Sequence, residues 1–193
     1  MPASAAADRQ IKEKTKDLDI NIVYPAGDKI SGPVIEKFVK AEVSAFKKDL
    51  PETKPNPDWA YQLSIDYETF SHRDLIGYKF TVFSFPGGAH PMTRTVTMTF
   101  DKKRGRQVGL ADLFRPGYLK KISALTIKEL LKRDLKDDKW VKEGASPDPK
   151  HYNKFILTDK YLIIYFDPYE VACYAYGGQE VKIPLSQLKN ILK

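Results

Sequence analysis

Three histidines (His72, His90 and His151), one cysteine (Cys173) and two carboxylates three residues apart (Asp167 and Glu170) have side chains suited to catalysis or metal binding. Their spacing narrows the chemistry. The histidines fall in no H-x-x-x-H pattern and a single cysteine makes no C-x-x-C, so no metal site is expected. The stretch His-Arg-Asp-Leu (72–75) shares four letters with the catalytic loop of protein kinases. It lacks the asparagine that must follow, a glycine-rich phosphate loop and a D-F-G, and it reads as a hairpin turn. No serine sits in G-x-S-x-G, and Cys173 has no histidine at a recognisable spacing, so nucleophilic catalysis has no signature. Asp167 and Glu170 flank Pro168 and Tyr169. Cleavage of a glycosidic bond needs two carboxyl groups several ångströms apart, so a weak glycan hydrolase or deacetylase is the alternative reading. Carboxylates beside a turn also serve as caps, which is the reading preferred here. The chain is therefore expected to be noncatalytic, with no catalytic residues and no cofactor.

Two loops have the composition of contact surfaces. Tyr169, Tyr174 and Tyr176 lie in a stretch that ends at Gly177 and Gly178. Tyrosine provides large contact area for few rotatable bonds and is enriched where proteins recognise ligands. The same rings also suit the covering of a sheet edge, and the residues alone leave both readings open. The second loop is Pro-Gly-Gly-Ala-His-Pro (86–91). Gly87 and Gly88 permit positive φ there, and His90 is a contact candidate. Charge marks a third surface. The net charge is +7, and residues 101–142 hold 13 Lys/Arg against 6 Asp/Glu, so the whole excess sits in that segment. Lys102, Lys103, Arg104, Arg106, Lys120, Lys121, Lys128 and Lys132 form a candidate face for an anionic polymer; a merely solvated helix face is the simpler reading. The segment lacks the aromatic interleaving that single-strand nucleic-acid binders use, so nucleic acid is not an expected partner.

The elements that must carry these residues follow from periodicity. Leu18, Ile20, Ile22 and Tyr24 alternate with polar or smaller residues as in a strand. Ile35, Phe38, Val39, Val43 and Phe46 recur at helical spacing, which predicts a helix over 31–49. The proline-containing stretch 50–58 reads as a connector. Strands follow over 59–70, 75–85 and 93–100, the last two joined through the 86–91 loop. On the third, Val96, Met98 and Phe100 take one face and Thr95, Thr97 and Thr99 the other, the pattern of a half-buried strand. A charged turn at 101–106 leads to a helical turn at 110–114 and a helix over 116–136. Residues 137–153 read as a polar loop, 155–166 as a hairpin, 167–178 as the Tyr-rich loop, 180–183 as a last strand and 185–192 as a closing helix. Meanders and hairpins are antiparallel, so the fold class is α+β, an antiparallel sheet with helices packed on one face.

Length allows one full-sized domain or two small lobes. Hydrophobic content of 42% and aromatic content of 12% suit a packed core rather than disorder. A single cysteine rules out an internal disulfide and leaves the compartment open. No apolar run reaches the ~18 residues of a membrane helix, and the polar start lacks the apolar core of a signal peptide. The N-terminus is expected to follow a removed export or anchor segment, so contact with a membrane would come only through an anchor outside this chain.

An ordered set of motifs carries a family resemblance. Gly-Gly-Ala-His-Pro (87–91), Thr-Phe-Asp (99–101), Leu-Ala-Asp-Leu-Phe (110–114) and Phe-Ile-Leu-Thr-Asp (155–159) are followed by Tyr-Phe-Asp-Pro-Tyr-Glu-Val-Ala (165–172), Tyr-Ala-Tyr-Gly (174–177) and Val-Lys-Ile-Pro-Leu-Ser-Gln-Leu (181–188). This succession resembles the extracytoplasmic domain shared by the lysozyme-sensing anti-sigma factor RsiV and the peptidoglycan deacetylase PdaC. It covers 80–193, and 17–79 resembles the small domain that precedes it there, with 1–16 a frayed lead-in. The resemblance implies an extracytoplasmic bacterial cell-envelope domain, periplasmic or at the cell surface. Its implied partner is a lysozyme-like protein or a peptidoglycan fragment, met by Gly87, Gly88, His90, Asp167, Tyr169, Glu170, Tyr174 and Tyr176. It also implies an alternative role as an accessory to peptidoglycan modification. The chain departs from the family where Cys173 stands in place of an expected proline. It has neither a transmembrane nor an anti-sigma segment, and its net charge opposes encounter with basic lysozymes.

Overall fold

A computed structural model describes residues 8–52 and 58–193. Residues 53–57 of the expected connector and 1–7 of the expected lead-in lie outside the described residues. Two compact units are distinguished. One comprises the chain through Glu68 together with Phe80–Arg94; the other comprises Thr69–Lys79 and Thr95–Lys193. The fold is α+β. Six strands hydrogen-bond in chain order: β1 (Asp8–Lys14), β2 (Leu18–Pro25), β3 (Tyr61–His72), β4 (Leu75–Phe85), β5 (Met92–Asp101) and β6 (Arg106–Gln107). A second sheet orders β7 (Phe155–Leu157), β8 (Tyr161–Phe166) and β9 (Gln179–Pro184).

In the first unit, the 18-residue helix α1 (Ser31–Lys48) connects β2 to β3. These strands pair in parallel, with Leu18 opposite Tyr61 and Ile22 opposite Ile65. Hairpins and meanders gave no reason to expect this pair. A helix between two adjacent strands supplies the long crossover that parallel pairing requires. The helix starts where Asp28 accepts hydrogen bonds from the backbone N–H groups of Ile30 (2.9 Å) and Ser31 (2.8 Å), which satisfies donors that the first turn leaves open. Ile35 and Val39 from α1 are buried, as are Ile20, Ile22, Leu63, Ile65, Phe80 and Val82 from the strands. Phe80 lies 5.1 Å from Phe38, ring centre to ring centre.

The expected frayed lead-in is a strand from Asp8 onward. β1 pairs antiparallel with β2 from Asp8 opposite Pro25 to Lys14 opposite Asp19. Its charged sequence hid it, because strand pairing uses backbone groups that composition does not report. The charges have partners: Arg9 meets Glu36 at 2.6 Å and Glu13 meets Lys47 at 2.6 Å. Such side chains also suit an edge strand, where they discourage pairing with another chain.

In the second unit, α2 (Leu110–Leu113) and α3 (Tyr118–Leu130) precede α4 (Asp138–Gly144). Helix α3 is shorter at both ends than the 116–136 expected. Gly117 at φ 86 begins it late, and Arg133 leaves the helical path to donate to Gln179 Oε1 (2.8 Å) and the Glu180 carbonyl (2.7 Å). Helix α4 and a 3-10 turn at Pro149–Tyr152 occupy the segment expected as loop. Asp137 caps α4 by accepting from Trp140 N–H (2.9 Å), and Asp148 caps the turn by accepting from Lys150 N–H (3.0 Å). The expected closing helix is a 3-10 turn, Leu185–Gln187, because the end of the chain pairs elsewhere. Leu192 bridges Phe114, and the Lys193 N–H donates to Leu113 O (2.9 Å). Strand β8 is buried on both faces. Leu162, Ile164 and Phe166 join the main core with Phe114, Ile122 and Leu130, while Ile163 and Tyr165 join Ile156. The threonine face of β5 is covered as well: Thr99 is buried, and Thr97 Oγ1 accepts from Phe155 N–H (2.9 Å).

The turn at 101–106 forms as expected between Phe100 opposite Gln107 and Asp101 opposite Arg106, with Gly105 at φ 66. Just beyond it, Arg106 and the Gly109 N–H hold the Asp112 carboxyl down at about 2; the guanidinium lies 2.6 Å away and the N–H 2.9 Å. A carboxyl whose pKa is lowered by folding stabilises the fold above its unfolded value of ~3.9, and that contribution is lost as pH falls towards 2. Arg106→Ala is expected to return the Asp112 pKa towards the ordinary carboxylate range in a carboxyl NMR titration, with acid unfolding starting at higher pH. An unchanged titration would show that the guanidinium is not the main cause.

Candidate functional site

The Tyr-rich loop of the second unit is built on one lysine. Lys154 Nζ lies 2.7 Å from Asp167 Oδ2 and 2.7 Å from Glu170 Oε1. The other oxygen of each carboxylate is also engaged. Asp167 Oδ1 accepts from Thr95 N–H (2.7 Å), and Glu170 Oε2 accepts from Asp167 N–H (2.7 Å). This closes the turn, anchors it to β5 and neutralises the ammonium, whose side chain is only 15% exposed. Glycoside hydrolysis places its two carboxyl groups across a scissile bond. Here both are ion-paired to the same cation, an arrangement that fixes a turn.

The turn raises Tyr169 into solvent. Its φ is 73, a conformation that a residue with a side chain adopts at a cost, and the residue is 48% exposed. The Tyr169 N–H donates to Ala172 O (2.9 Å) and its carbonyl accepts from the Trp140 indole N–H (3.2 Å). Its ring centre is 5.8 Å from that of Tyr174. Tyr174, Ala175 and Tyr176 form a 3-10 turn that ends at Gly177, φ 63. The two readings of the tyrosines thus divide by residue. Tyr176 packs against the core, whereas Tyr169 and Tyr174 form a ring pair at the surface; Cys173 and Gly178 of the same loop are exposed.

The 86–92 loop belongs to the first unit and is described separately. Gly87 adopts φ 87; Gly88 and His90 are exposed, and His90 Nδ1 lies 3.0 Å from Pro91 O. With Ala89 and Pro91, His90 lines a cleft of about 450 Å³ completed by Asp58, Trp59, Ala60, Gln62 and Phe85. Trp59 is the residue that periodicity hid. Its parity matches Tyr61, Leu63 and Ile65, so it reads as an inward strand position. The strand starts at Tyr61, and Trp59 stays 52% exposed against Phe85, ring centres 5.7 Å apart. The signal that marks it is its place directly after the proline-containing connector, before pairing begins.

The basic face is divided. Arg104 is committed to Asp101 (3.3 Å), Arg106 to Asp112 (2.6 Å), Lys132 to Glu129 (2.6 Å) and Lys121 to Asn190 (2.6 Å). Lys102, Lys103, Lys120 and Lys128 are exposed, with no side-chain partner among the described residues. In the second unit His72 pairs with Asp159 (2.9 Å) and His151 with Ser146 Oγ (3.2 Å). Among the described residues, no three His, Cys, Asp or Glu side chains gather closely enough to hold a metal ion. No helix among them is long and apolar enough to cross a membrane.

The fold and these surfaces have known relatives. Residues 111–186, within the second unit, match the model of a family described as Protein of unknown function (DUF3298), and the chain carries a domain of that family. It is homologous over most of its length to two Bacillus subtilis proteins. The peptidoglycan-N-acetylmuramic acid deacetylase PdaC is 29% identical over 93% of this chain, and the anti-sigma-V factor RsiV is 26% identical over 95%. The matched region spans 40% of the length of PdaC and 68% of that of RsiV. Solved structures of the same family share the fold. One from Bacteroides fragilis aligns at TM-score 0.70 and 19% identity, covering 97% of this chain and 92% of its own. One from Pseudomonas aeruginosa aligns at 0.71 and 18%, covering 98% and 95%.

The Tyr-rich loop also depends on Gly144, the last residue of α4. A Cβ there would fall 1.9 Å from the Glu170 carbonyl oxygen and 3.1 Å from Val171 Cγ1. Gly144→Ala is expected to lower stability by about 2–3 kcal/mol in urea unfolding, because the backbone of one segment must move away from the other. A variant as stable as the parent would refute that close approach.

Proposed function

We propose that this chain is a noncatalytic, extracytoplasmic binding module of the bacterial cell envelope, and that it recognises its ligand through the Tyr169–Tyr174 loop. The ligand is a lysozyme-like protein or a cell-wall glycan fragment. The observation that carries this reading is the exposed Tyr169, held at positive φ by a turn in which Lys154, Asp167 and Glu170 are mutually satisfied. A strained backbone that presents a large ring to water, rather than burying it, is what a recognition loop requires. Kinship with PdaC and RsiV supports the envelope setting, and the paired state of both loop carboxylates supports binding over hydrolysis.

A second reading rests on Lys102, Lys103, Lys120 and Lys128, which have no side-chain partner among the described residues and suit an anionic envelope polymer. Salt separates the two. A polymer held by lysines is released as salt rises, whereas a basic protein held by the loop binds as well or better once like-charge repulsion is screened. Calorimetry against lysozymes and soluble peptidoglycan fragments tests the first reading. The paired changes Tyr169→Ala and Tyr174→Ala are expected to weaken binding by about tenfold or more, equivalent to ~1.4 kcal/mol. Binding that survives both changes would remove the loop from the site.

A further inference from the structure

We propose that a cleft of the second unit, lined by β5, β6, the start of α3 and the 3-10 turn Pro149–Tyr152, is a binding site for a neutral saccharide, distinct from the Tyr169–Tyr174 loop and independent of the reading given to it. Its volume, about 500 Å³, is within the range of small-molecule sites. Two of its residues come from the threonine face of β5. Valine would fill the same space without a hydroxyl to satisfy, so the hydroxyls call for partners. Thr97 Oγ1 accepts from Phe155 N–H (2.9 Å), and among the described residues its own proton has no acceptor. Thr99 is 3% exposed, and its Oγ1 is buried with no hydrogen-bond partner among the described residues. A hydroxyl in that state is costly, and no hydrogen bond holds its rotamer against a turn towards a partner in the cleft. Three more uncommitted groups line the same space: the exposed amides of Gln107 and Asn153 and the hydroxyl of Tyr118 have no side-chain partner among the described residues. Burial pushes the Tyr118 phenol up, which keeps it a donor at neutral pH.

The lining sets the chemistry of the ligand. Among the described residues no charged side chain lines the cleft. The ionised residues next to it in sequence are committed elsewhere: Arg106 to Asp112 (2.6 Å), Lys150 to Asp148 (3.1 Å) and Lys154 to Asp167 and Glu170 (2.7 Å each). A charged ligand would give up its hydration with no counter-charge in return, so the ligand is neutral. A purely apolar ligand would cover two amides and three hydroxyls without satisfying them. What remains is a neutral molecule with both apolar and hydrogen-bonding surface. The rings of Tyr118, Tyr152 and Phe155 line the cleft with the polar groups, and Tyr118 is held by stacking on Phe114, ring centres 6.1 Å apart. A pyranose has a face of C–H groups, which packs on an aromatic ring, and a rim of hydroxyls, which exchange hydrogen bonds with amides and hydroxyls. The cleft offers both.

The test is calorimetric and amide-NMR titration of the whole chain. The neutral probes are N,N′,N″-triacetylchitotriose, cellotriose and maltotriose; the others are anionic trigalacturonate, cationic chitotriose and the uncharged peptide acetyl-trialanine amide. Saturable binding of a neutral trisaccharide is expected, with shifts at the amides of Gln107, Gly109 and Asn153. Binding should fall by about tenfold in the paired change Gln107→Ala, Asn153→Ala, whose side chains are exposed and leave the core intact. Thr99→Val should weaken it about fivefold while unfolding at the same urea concentration as the parent or higher, because the hydroxyl it removes has no partner in the free protein. The proposal is overturned if no neutral trisaccharide binds up to about 10 mM. It is also overturned if neither the paired change nor Thr99→Val weakens binding, or if a charged probe or the peptide binds more tightly than the neutral sugars. Sugar binding lost in the Tyr169→Ala, Tyr174→Ala protein but kept in Gln107→Ala, Asn153→Ala would assign the sugar to the loop and overturn it too. The reverse pattern would establish the cleft as a separate site, whatever the loop binds.

Discussion

The ammonium of Lys154, 15% exposed, sits 2.7 Å from an oxygen of Asp167 and 2.7 Å from one of Glu170. A charge so far out of water is tolerated only when opposite charge and hydrogen bonds replace its hydration. The second unit meets that demand with two carboxylates from a single turn. Each carboxylate is in turn committed to a backbone N–H, that of Thr95 in β5 or of Asp167 itself. One lysine thereby ties the strand that precedes the basic segment to the loop that displays the tyrosines. Removing Lys154 would leave two carboxylates without their shared cation, and removing either carboxylate would leave a backbone N–H without its acceptor, so the turn behaves as a unit.

This accounts for how the candidate surface is held. The ring pair Tyr169–Tyr174 rests on a backbone fixed at three points: the ion cluster, the Ala172 carbonyl and the Trp140 indole. Trp140 lies in a helix that is itself capped by Asp137, and Gly144 at the other end of that helix allows the close approach to Glu170. The surface is an outcome of polar satisfaction rather than of apolar burial. That distinguishes it from the Trp59 cleft of the first unit, where an aromatic pair supplies the floor and the polar groups line the rim.

How much of this was legible in the sequence depended on which force shaped each element. Apolar periodicity marked α1, β3, β4, β5 and the β7–β8 hairpin, because each buries a regular face. It missed β1, which is held by backbone pairing and ion pairs such as Arg9–Glu36. It also missed the parallel register of β2 with β3, which strand patterns do not encode. It overran α3, because Arg133 prefers partners in β9 to another helical turn, and it passed over α4, whose signal was the cap Asp137 rather than an apolar stripe. The candidate site was partly legible. Residue types pointed to Tyr169 and Tyr174, but not to the separation of Tyr176 into the core. The engagement of Asp167 and Glu170 with Lys154 needed three dimensions, since the lysine is 13 residues from one carboxylate and 16 from the other.

Tyr169 puts stability and display in opposition at a single position. A left-handed backbone costs a residue with a side chain roughly 1 kcal/mol more than it costs glycine. Glycine or asparagine at this turn would relax the loop and remove the ring that it presents. A search for heat-resistant variants that ignores binding should therefore find this residue early and discard it. Under the binding role proposed for the loop, a search that scores ligand capture should retain it despite the gain on offer.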